Sequence, residues 1–266
     1  MKVFILDNGY LECDSNHMVA MNTCATVNEK APVHQWIKIP VYAVLIDHPH
    51  AKILYDTGCP PTAMEGKWPL NLTTLFPYTF TPEQRLESQL QKVGYQPKDI
   101  DIVVMSHMHL DHAGNLDLFT HADVYVHRDD FCYGLMLTHQ NPDPATHGAY
   151  VRADLEVPCK FKMVDDDFEL VPGVEVINLP GHTPGVLGIM VHLQNSGTLI
   201  FPMDALYQRG NYGPPPRMSG IIYDSISFFK SIEKIRKLAQ KNNAQIMFSH
   251  DMEFFKTMRL APFYYD

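Results

Sequence analysis

The stretch Ser106-His107-Met108-His109-Leu110-Asp111-His112 places three imidazoles and a carboxylate within six residues, directly after the apolar, β-branched run Ile100-Asp101-Ile102-Val103-Val104-Met105. That run has the character of a buried strand, so the polar cluster begins where the strand ends. In extended backbone alternate side chains share a face. His107, His109 and Asp111 are therefore expected to point into a cleft, while Met108 and Leu110 point back into the core and anchor the loop. His112 breaks the alternation and is expected to open a short helix through Ala113-Gly114-Asn115. Four metal-capable groups at this spacing constrain the fold more than any other part of the chain, because they need further ligands brought in from elsewhere.

The same punctuation recurs. Val174–Leu179 reads as a strand running into Pro180-Gly181-His182-Thr183-Pro184-Gly185, Val186–Leu193 and Thr198–Met203 as a hairpin about Asn195-Ser196-Gly197 with Asp204 at its end, and Ala244–Phe248 as a last strand delivering Ser249-His250-Asp251. Upstream, Val3–Leu6 is a plausible first strand, and Asp7–Gln35 carries few periodic signals. Ile39–Asp47 and Lys52–Tyr55 pair as a hairpin through His48-Pro49-His50-Ala51, whose histidines are expected to be solvated. Asp56-Thr57-Gly58 then either supports a site or caps the next segment. Residues 59–80 and 140–160 read as irregular insertions. Thr81-Pro82-Glu83-Gln84 carries a capping box that opens a helix to about Val93. A strand at Asp123–Val126, a helix from Arg128, and a helix from Asp224 or Ser225 to Asn242 complete the order. It implies two sheets packed face to face with helices outside, in one domain over residues 1–266.

Composition removes partners. A formal net charge of −9 leaves no basic stripe for nucleic acid or anionic lipid. Nothing has the length of a membrane span, and the charge at Asp7 comes too early for a signal peptide, which points to the cytoplasm. Five widely spaced cysteines read as reduced thiols.

Strand ends along one edge of a layered fold converge, which would assemble five imidazoles and two carboxylates. A single catalytic zinc takes three protein ligands and leaves a position for water, so seven ligands imply two ions. A consistent division gives His107, His109 and His182 to one ion and Asp111, His112 and His250 to the other, with Asp204 as the bridge. Ions so held would lie about 3.5–4 Å apart. His17, His34, His121, His127 and His192 have no companion at ligand spacing and read as surface or core histidines.

His107-Met108-His109-Leu110-Asp111-His112 resembles the H-x-H-x-D-H signature of the metallo-β-lactamase superfamily, with His182, Asp204 and His250 in the order of the remaining ligands. Within it the chain is similar to the N-acyl-homoserine lactonase family over nearly its whole length. The likeness includes Leu54–Gly58, Val93-Gly94-Tyr95, Val171–Val174, Pro180–Gly185, Asp204–Tyr207 and His250–Glu253. The resemblance implies an αββα sandwich and a dinuclear centre, with zinc the first expectation and iron, cobalt or manganese also suited to these ligands. It further implies ring opening of N-acyl-homoserine lactones by a hydroxide shared between the ions, as in quorum quenching. Tyr207 would donate to the developing oxyanion and Asp111 pass a proton to the leaving alkoxide. Met18, Met21, Trp68 and Phe76 are candidates for an acyl-tail groove. The departures are a longer Leu11–Ala31 segment and Leu110, where an aromatic is also familiar. Partners reduce to a small-molecule lactone and, at most, a second copy of the chain. The alternatives are another lactonase or esterase, a glyoxalase II-like thioesterase, for which only sixteen residues follow His250, and a non-catalytic metal-dependent binding module.

Overall fold

The computed structural model describes residues 1–266. Twelve strands form two mixed sheets: β1 (Lys2–Asp14), β2 (Trp36–Asp47), β3 (Lys52–Tyr55), β4 (Tyr78–Thr79), β5 (Ile102–Val104), β6 (Asp123–His127), β7 (Lys160–Val164), β8 (Phe168–Val171), β9 (Val174–Asn178), β10 (Leu187–Leu193), β11 (Gly197–Phe201) and β12 (Gln245–Ile246). The first sheet runs β4-β1-β2-β3-β5-β6-β7 and the second β12-β11-β10-β9-β8. In the first, β1 to β4 pair antiparallel, whereas β3, β5, β6 and β7 pair parallel.

Side-chain alternation divides the interior into two cores. Val3, Ile5, Val44, Ile46, Ile53 and Tyr55 pack against Val176, Ile189, Val191 and Phe201 of the second sheet. Their neighbours Phe4, Leu6, Ala43, Leu45 and Leu54 face the other way, onto Leu86 and Leu90 of the helix Leu86–Lys92 and Phe131 of the helix Arg128–Gln140. Strands buried on both faces read as continuous apolar runs, and this is why the central strands are so plain in the sequence. On the far side Phe228, Ile232 and Ile235 of the helix Ser225–Asn242 cover the second sheet. The Tyr55 hydroxyl joins the layers by donating to the Leu187 carbonyl at 2.6 Å. The result is the αββα sandwich expected from the sequence, and no helix is long and apolar enough to cross a membrane.

Several boundaries differ from expectation. The first strand continues through Asp7-Asn8-Gly9 to Asp14, because those residues form a register shift between Asp7 and Tyr10 instead of a turn. Gly9 takes φ +90° there, a left-handed conformation that costs a glycine little. The helix expected at 82–93 is split into a 3₁₀ turn, Pro82–Gln84, carrying the Thr81–Gln84 capping box, and the helix Leu86–Lys92. The turn of helix after the histidine cluster is a 3₁₀ segment at Leu116–Phe119. β7 and β8 were not expected, and β12 is only two residues long. His48 is buried, with Nε2 3.2 Å from the Pro172 carbonyl.

Candidate metal centre and active site

The loop after β5 is held by two buried carboxylates. Asp56, at the end of β3, accepts from the Ser106 amide at 2.6 Å and the Ser106 hydroxyl at 2.7 Å, and lies 2.7 Å from His112 Nδ1. Asp130, in the first turn of Arg128–Gln140, accepts from the Met108 amide at 2.8 Å. Met108 enters the core beneath the helices, as expected, but Leu110 joins a separate cluster with Leu11, Met18, Ile39 and Tyr207 at the mouth of the site. His182 is set by Gly181, whose φ is +140° and whose Cβ, if present, would come 2.4 Å from the Phe228 backbone. The turn thus lies tight against the helix Ser225–Asn242.

His107, His109, His112, His182, Asp204 and His250 are all buried, and Asp111 is nearly so. Three groupings have ligand atoms within 4.8 Å of one another: His107, His109 and His182; His107, His112 and Asp204; Asp111, His112 and His250. Asp204 stands between them. Its Oδ2 is 3.4 Å from His182 Nε2 and 3.7 Å from His107 Nε2, while Oδ1 is 3.4 Å from His112 Nε2 and 3.1 Å from His250 Nε2.

The outer nitrogens fix which lone pairs turn inward. Acceptors face Nδ1 of His112 (Asp56), of His250 (Pro40 carbonyl, 3.0 Å) and of His182 (Ile221 carbonyl, 3.1 Å). Ser106 donates to Asp56 and therefore accepts from His107 Nδ1 at 2.9 Å. In its neutral form each of these four rings then presents a bare Nε2 to the cluster, the orientation that ligating histidines take. Bare nitrogens of His182 and His107 stand 3.2 Å apart, and His112 Nε2 and Asp204 Oδ1 are buried without a hydrogen-bond partner. Facing lone pairs repel, and orphaned buried polar atoms are costly. Divalent cations relieve both, so the donor set fits them.

Electrostatics follow the same division. Burial and the neighbouring imidazoles hold His107 and His109 well below the ordinary histidine range, and burial lowers His182. Burial alone would lower His112 and His250 too, but the carboxylates around them, Asp111 and Asp204 above all, raise both. Asp204 stays well below its usual value because His250 and His112 outweigh its burial. Tyr207 is driven well above its usual range by burial and by Asp204 and Asp111, so its phenol keeps its proton.

That hydroxyl lies 2.8 Å from His182 Nδ1, and the ring stands edge-on between His182 and His250 with centroids 5.3 Å from each. Beside it opens a narrow cavity of about 40 Å³ lined by Asp111, Asp204 and Tyr207 and by an apolar wall that includes Met18 and Phe76. Of the other tail candidates, Met21 is 73% exposed and Trp68 is buried against Tyr78; neither lines this cavity. Leu11, which does line it, was hidden by reading 7–35 as irregular, and Ile39, also in the lining, was expected only as the first residue of a strand. Ala149 and Ile221 in its wall carried no signal in the sequence.

A two-sheet sandwich with imidazoles and carboxylates gathered at one edge defines a metallohydrolase. The family model described as the metallo-beta-lactamase superfamily matches residues 36–250. The chain is 34% identical to N-acyl homoserine lactonase AiiB of Agrobacterium fabrum (strain C58 / ATCC 33970) over 97% of its length and 96% of that protein's. It is 29% identical to N-acyl homoserine lactonase AiiA of Bacillus thuringiensis subsp. kurstaki over 90% and 92%. A solved N-acyl homoserine lactone hydrolase with the product N-hexanoyl-L-homoserine bound at its catalytic metal centre superposes with a TM-score of 0.84 at 26% identity, covering 99% of this chain and 98% of that one. The chain belongs to the N-acyl homoserine lactonase family of the metallo-β-lactamase superfamily.

Proposed function

We propose that this protein is a metal-dependent hydrolase that opens the lactone ring of N-acyl homoserine lactones, acting as one hydrolase domain over residues 1–266. The observation that carries the reading is the Tyr207 phenol, protonated and buried between His182 and His250 at the head of a largely apolar cavity. We assign His107, His109 and His182 to one divalent ion, Asp111, His112 and His250 to a second, and Asp204 to both, with zinc as the metal. Bound there, such ions supply Lewis acidity and lower the pKa of water enough for attack near neutral pH.

The chain's own residues do the rest. With the His182 Nδ1 proton directed to Ile221 and the Tyr207 oxygen, the phenol proton is free to meet the substrate carbonyl as charge develops on it. A water oxygen joins the carbonyl carbon as its proton passes to Asp111, which lines the cavity; the ring C–O bond then breaks, and Asp111 hands that proton to the departing alkoxide. The product acid ionises, so each turnover releases one proton. Met18, Ile39, Phe76 and Leu110 receive the acyl tail. The five cysteines form no disulfides, in keeping with a reducing, cytoplasmic setting. The test is hydrolysis of N-hexanoyl-homoserine lactone followed by proton release, with the ring-opened product identified by mass; no turnover by metal-loaded protein rejects the reading.

A further inference from the structure

Asp56 accounts for one half of the centre, because it holds the outer nitrogen of His112 and the amide of Ser106. The half built from His107, His109 and His182 has no comparable carboxylate on a ring nitrogen. It has Asp130, two residues along the same loop. Asp130 is 1% exposed, and its two hydrogen-bond donors are neutral. One oxygen takes the Met108 N–H, the amide between His107 and His109, at 2.8 Å. The other takes the Tyr150 hydroxyl at 2.5 Å. The Tyr150 ring stands edge-on to His109 with centroids 4.6 Å apart, and the Ala149 carbonyl receives the Leu110 amide at 3.0 Å. Thr183, next to His182, sets its hydroxyl beside the same carboxylate without closing a well-formed hydrogen bond.

These partners exclude an ordinary helix-capping role. An acidic residue in a first turn commonly serves the helix's own free amides, whereas the hydrogen bonds of Asp130 all lead to other segments, each adjacent to a histidine of one group. A buried carboxylate is expensive to desolvate, and its cost here is met only by donors that define the loop.

We propose that Asp130 is a positioning residue for the three-histidine half of the metal centre, fixing the 107–109 backbone through Met108 and the plane of the His109 ring through Tyr150. The proposal rests on the reading of His107, His109 and His182 as an ion site. Asparagine at 130 keeps the shape but has one acceptor oxygen for two donors, so the Met108 amide and the Tyr150 hydroxyl cannot both go on donating as they do to the carboxylate: with Oδ1 on Met108, Nδ2 becomes the donor and the Tyr150 hydroxyl must turn to accept, with the charge of the acceptor lost.

The experiment is a Co²⁺ titration of apoprotein, read by the visible absorption of the bound ion, on wild type, Asp130→Asn and Tyr150→Phe. Outer partners of ligating histidines are worth about 10- to 100-fold in metal affinity. Asp130→Asn should therefore bind one Co²⁺ equivalent at least about 10-fold less tightly than wild type, with a shifted band, and should lose kcat more than it raises KM at saturating metal. A purely structural residue would lower the melting temperature and leave Co²⁺ affinity, band position and kcat of the loaded protein as in wild type; that result overturns the proposal. If Asp130→Asn does not fold, Tyr150→Phe decides, since it keeps the ring against His109 and deletes only the hydroxyl. An affinity weakened about threefold or more supports the proposal, a loss allowed to fall below the about 10- to 100-fold of a direct outer partner because Tyr150 acts only through its ring, and wild-type affinity overturns it. Wild type that takes up no Co²⁺ overturns the ion site and the proposal together, and this is seen before any variant is compared.

Discussion

Asp204 Oδ1 stands 3.1 Å from His250 Nε2, closer than any other carboxylate–imidazole approach inside the cluster, while its second oxygen faces His182. One carboxylate is thus divided between two groups of ligands. Loss of this side chain should therefore be felt by both ions. Asp204→Ala is expected to lose more than one metal equivalent from a protein that otherwise holds about two. Metal analysis of purified wild type and variant checks this, and a wild type saturated by one ion with full activity would be incompatible with the scheme.

Tyr207 makes a separate claim. Its hydroxyl is 2.8 Å from His182 Nδ1, an outer nitrogen, so deleting the oxygen should leave the inward-facing ligand atoms in place. Tyr207→Phe is expected to lower kcat by about 10- to 100-fold, less than the loss of a sole oxyanion donor because the ions share the charge. Metal content should be unchanged. An unaltered kcat would reduce Tyr207 to packing between His182 and His250.

Metal removal should cost stability as well as activity. Without cations, the inward-facing nitrogens of His107 and His182 oppose each other at 3.2 Å and Asp204 Oδ1 is left unpartnered. A ligand present at about a thousand times its Kd stabilises the native state by about 4 kcal/mol. Chelated protein should therefore melt at a lower temperature than loaded protein, and added zinc should restore the transition. Identical melting curves before and after verified removal would show that the cluster does not couple ion binding to folding.

What the sequence made legible follows physical signal strength. The strand leading into the histidine loop, the helix Ser225–Asn242 and the strands buried on both faces carry concentrated patterns, and their placement matched expectation closely, whereas within the loop Leu110 and the turn after His112 did not. β7 and β8 escaped because they are edge strands. Lys160–Val164 alternates poorly and is largely exposed, and Phe168–Val171 is only partly buried, so neither shows the apolar run or clean alternation that marks a strand. β1 was cut short by Asp7-Asn8-Gly9, whose turn-like composition serves a bulge: Asn8 accepts from the Cys59 amide at 2.6 Å, a contact 51 residues away. Asp130 and Tyr150 were silent for the same reason. Their importance lies in long-range partners, which local pattern does not encode.

The cavity wall predicts how tail length is read. Phe76 lines the cavity, and its ring packs at 5.0 Å from His17. Burial is worth about 0.8 kcal/mol per methylene, so each added carbon should improve kcat/KM by up to about fourfold until the wall is filled. Phe76→Ala should flatten that dependence, chiefly by raising KM for hexanoyl and longer tails, and leave the butanoyl substrate nearly unaffected. An equal loss at every length would point to a change at the centre and away from the wall.

The last prediction is chemical selectivity, and it separates lactone opening from the thioester and β-lactam reactions that the same ligand set could support. The ions do not discriminate strongly, since any of these carbonyls can be polarised and attacked. Discrimination must come from what surrounds them. Here that is a single protonated phenol, a carboxylate able to protonate a leaving alkoxide, and a wall formed by Leu11, Met18, Ile39 and Phe76. No Lys or Arg lines this cavity to pair with the carboxylates of a glutathione conjugate or a β-lactam, and burying an unpaired charge is costly. A neutral lactone with an apolar tail meets no such penalty. N-acyl homoserine lactones should thus be hydrolysed with kcat/KM well above that for S-lactoylglutathione or any β-lactam. A pH-indicator assay on the three substrate types, with product masses, decides it. Faster thioester turnover, or β-lactam cleavage of comparable efficiency, would overturn the substrate assignment while leaving the two-ion centre standing.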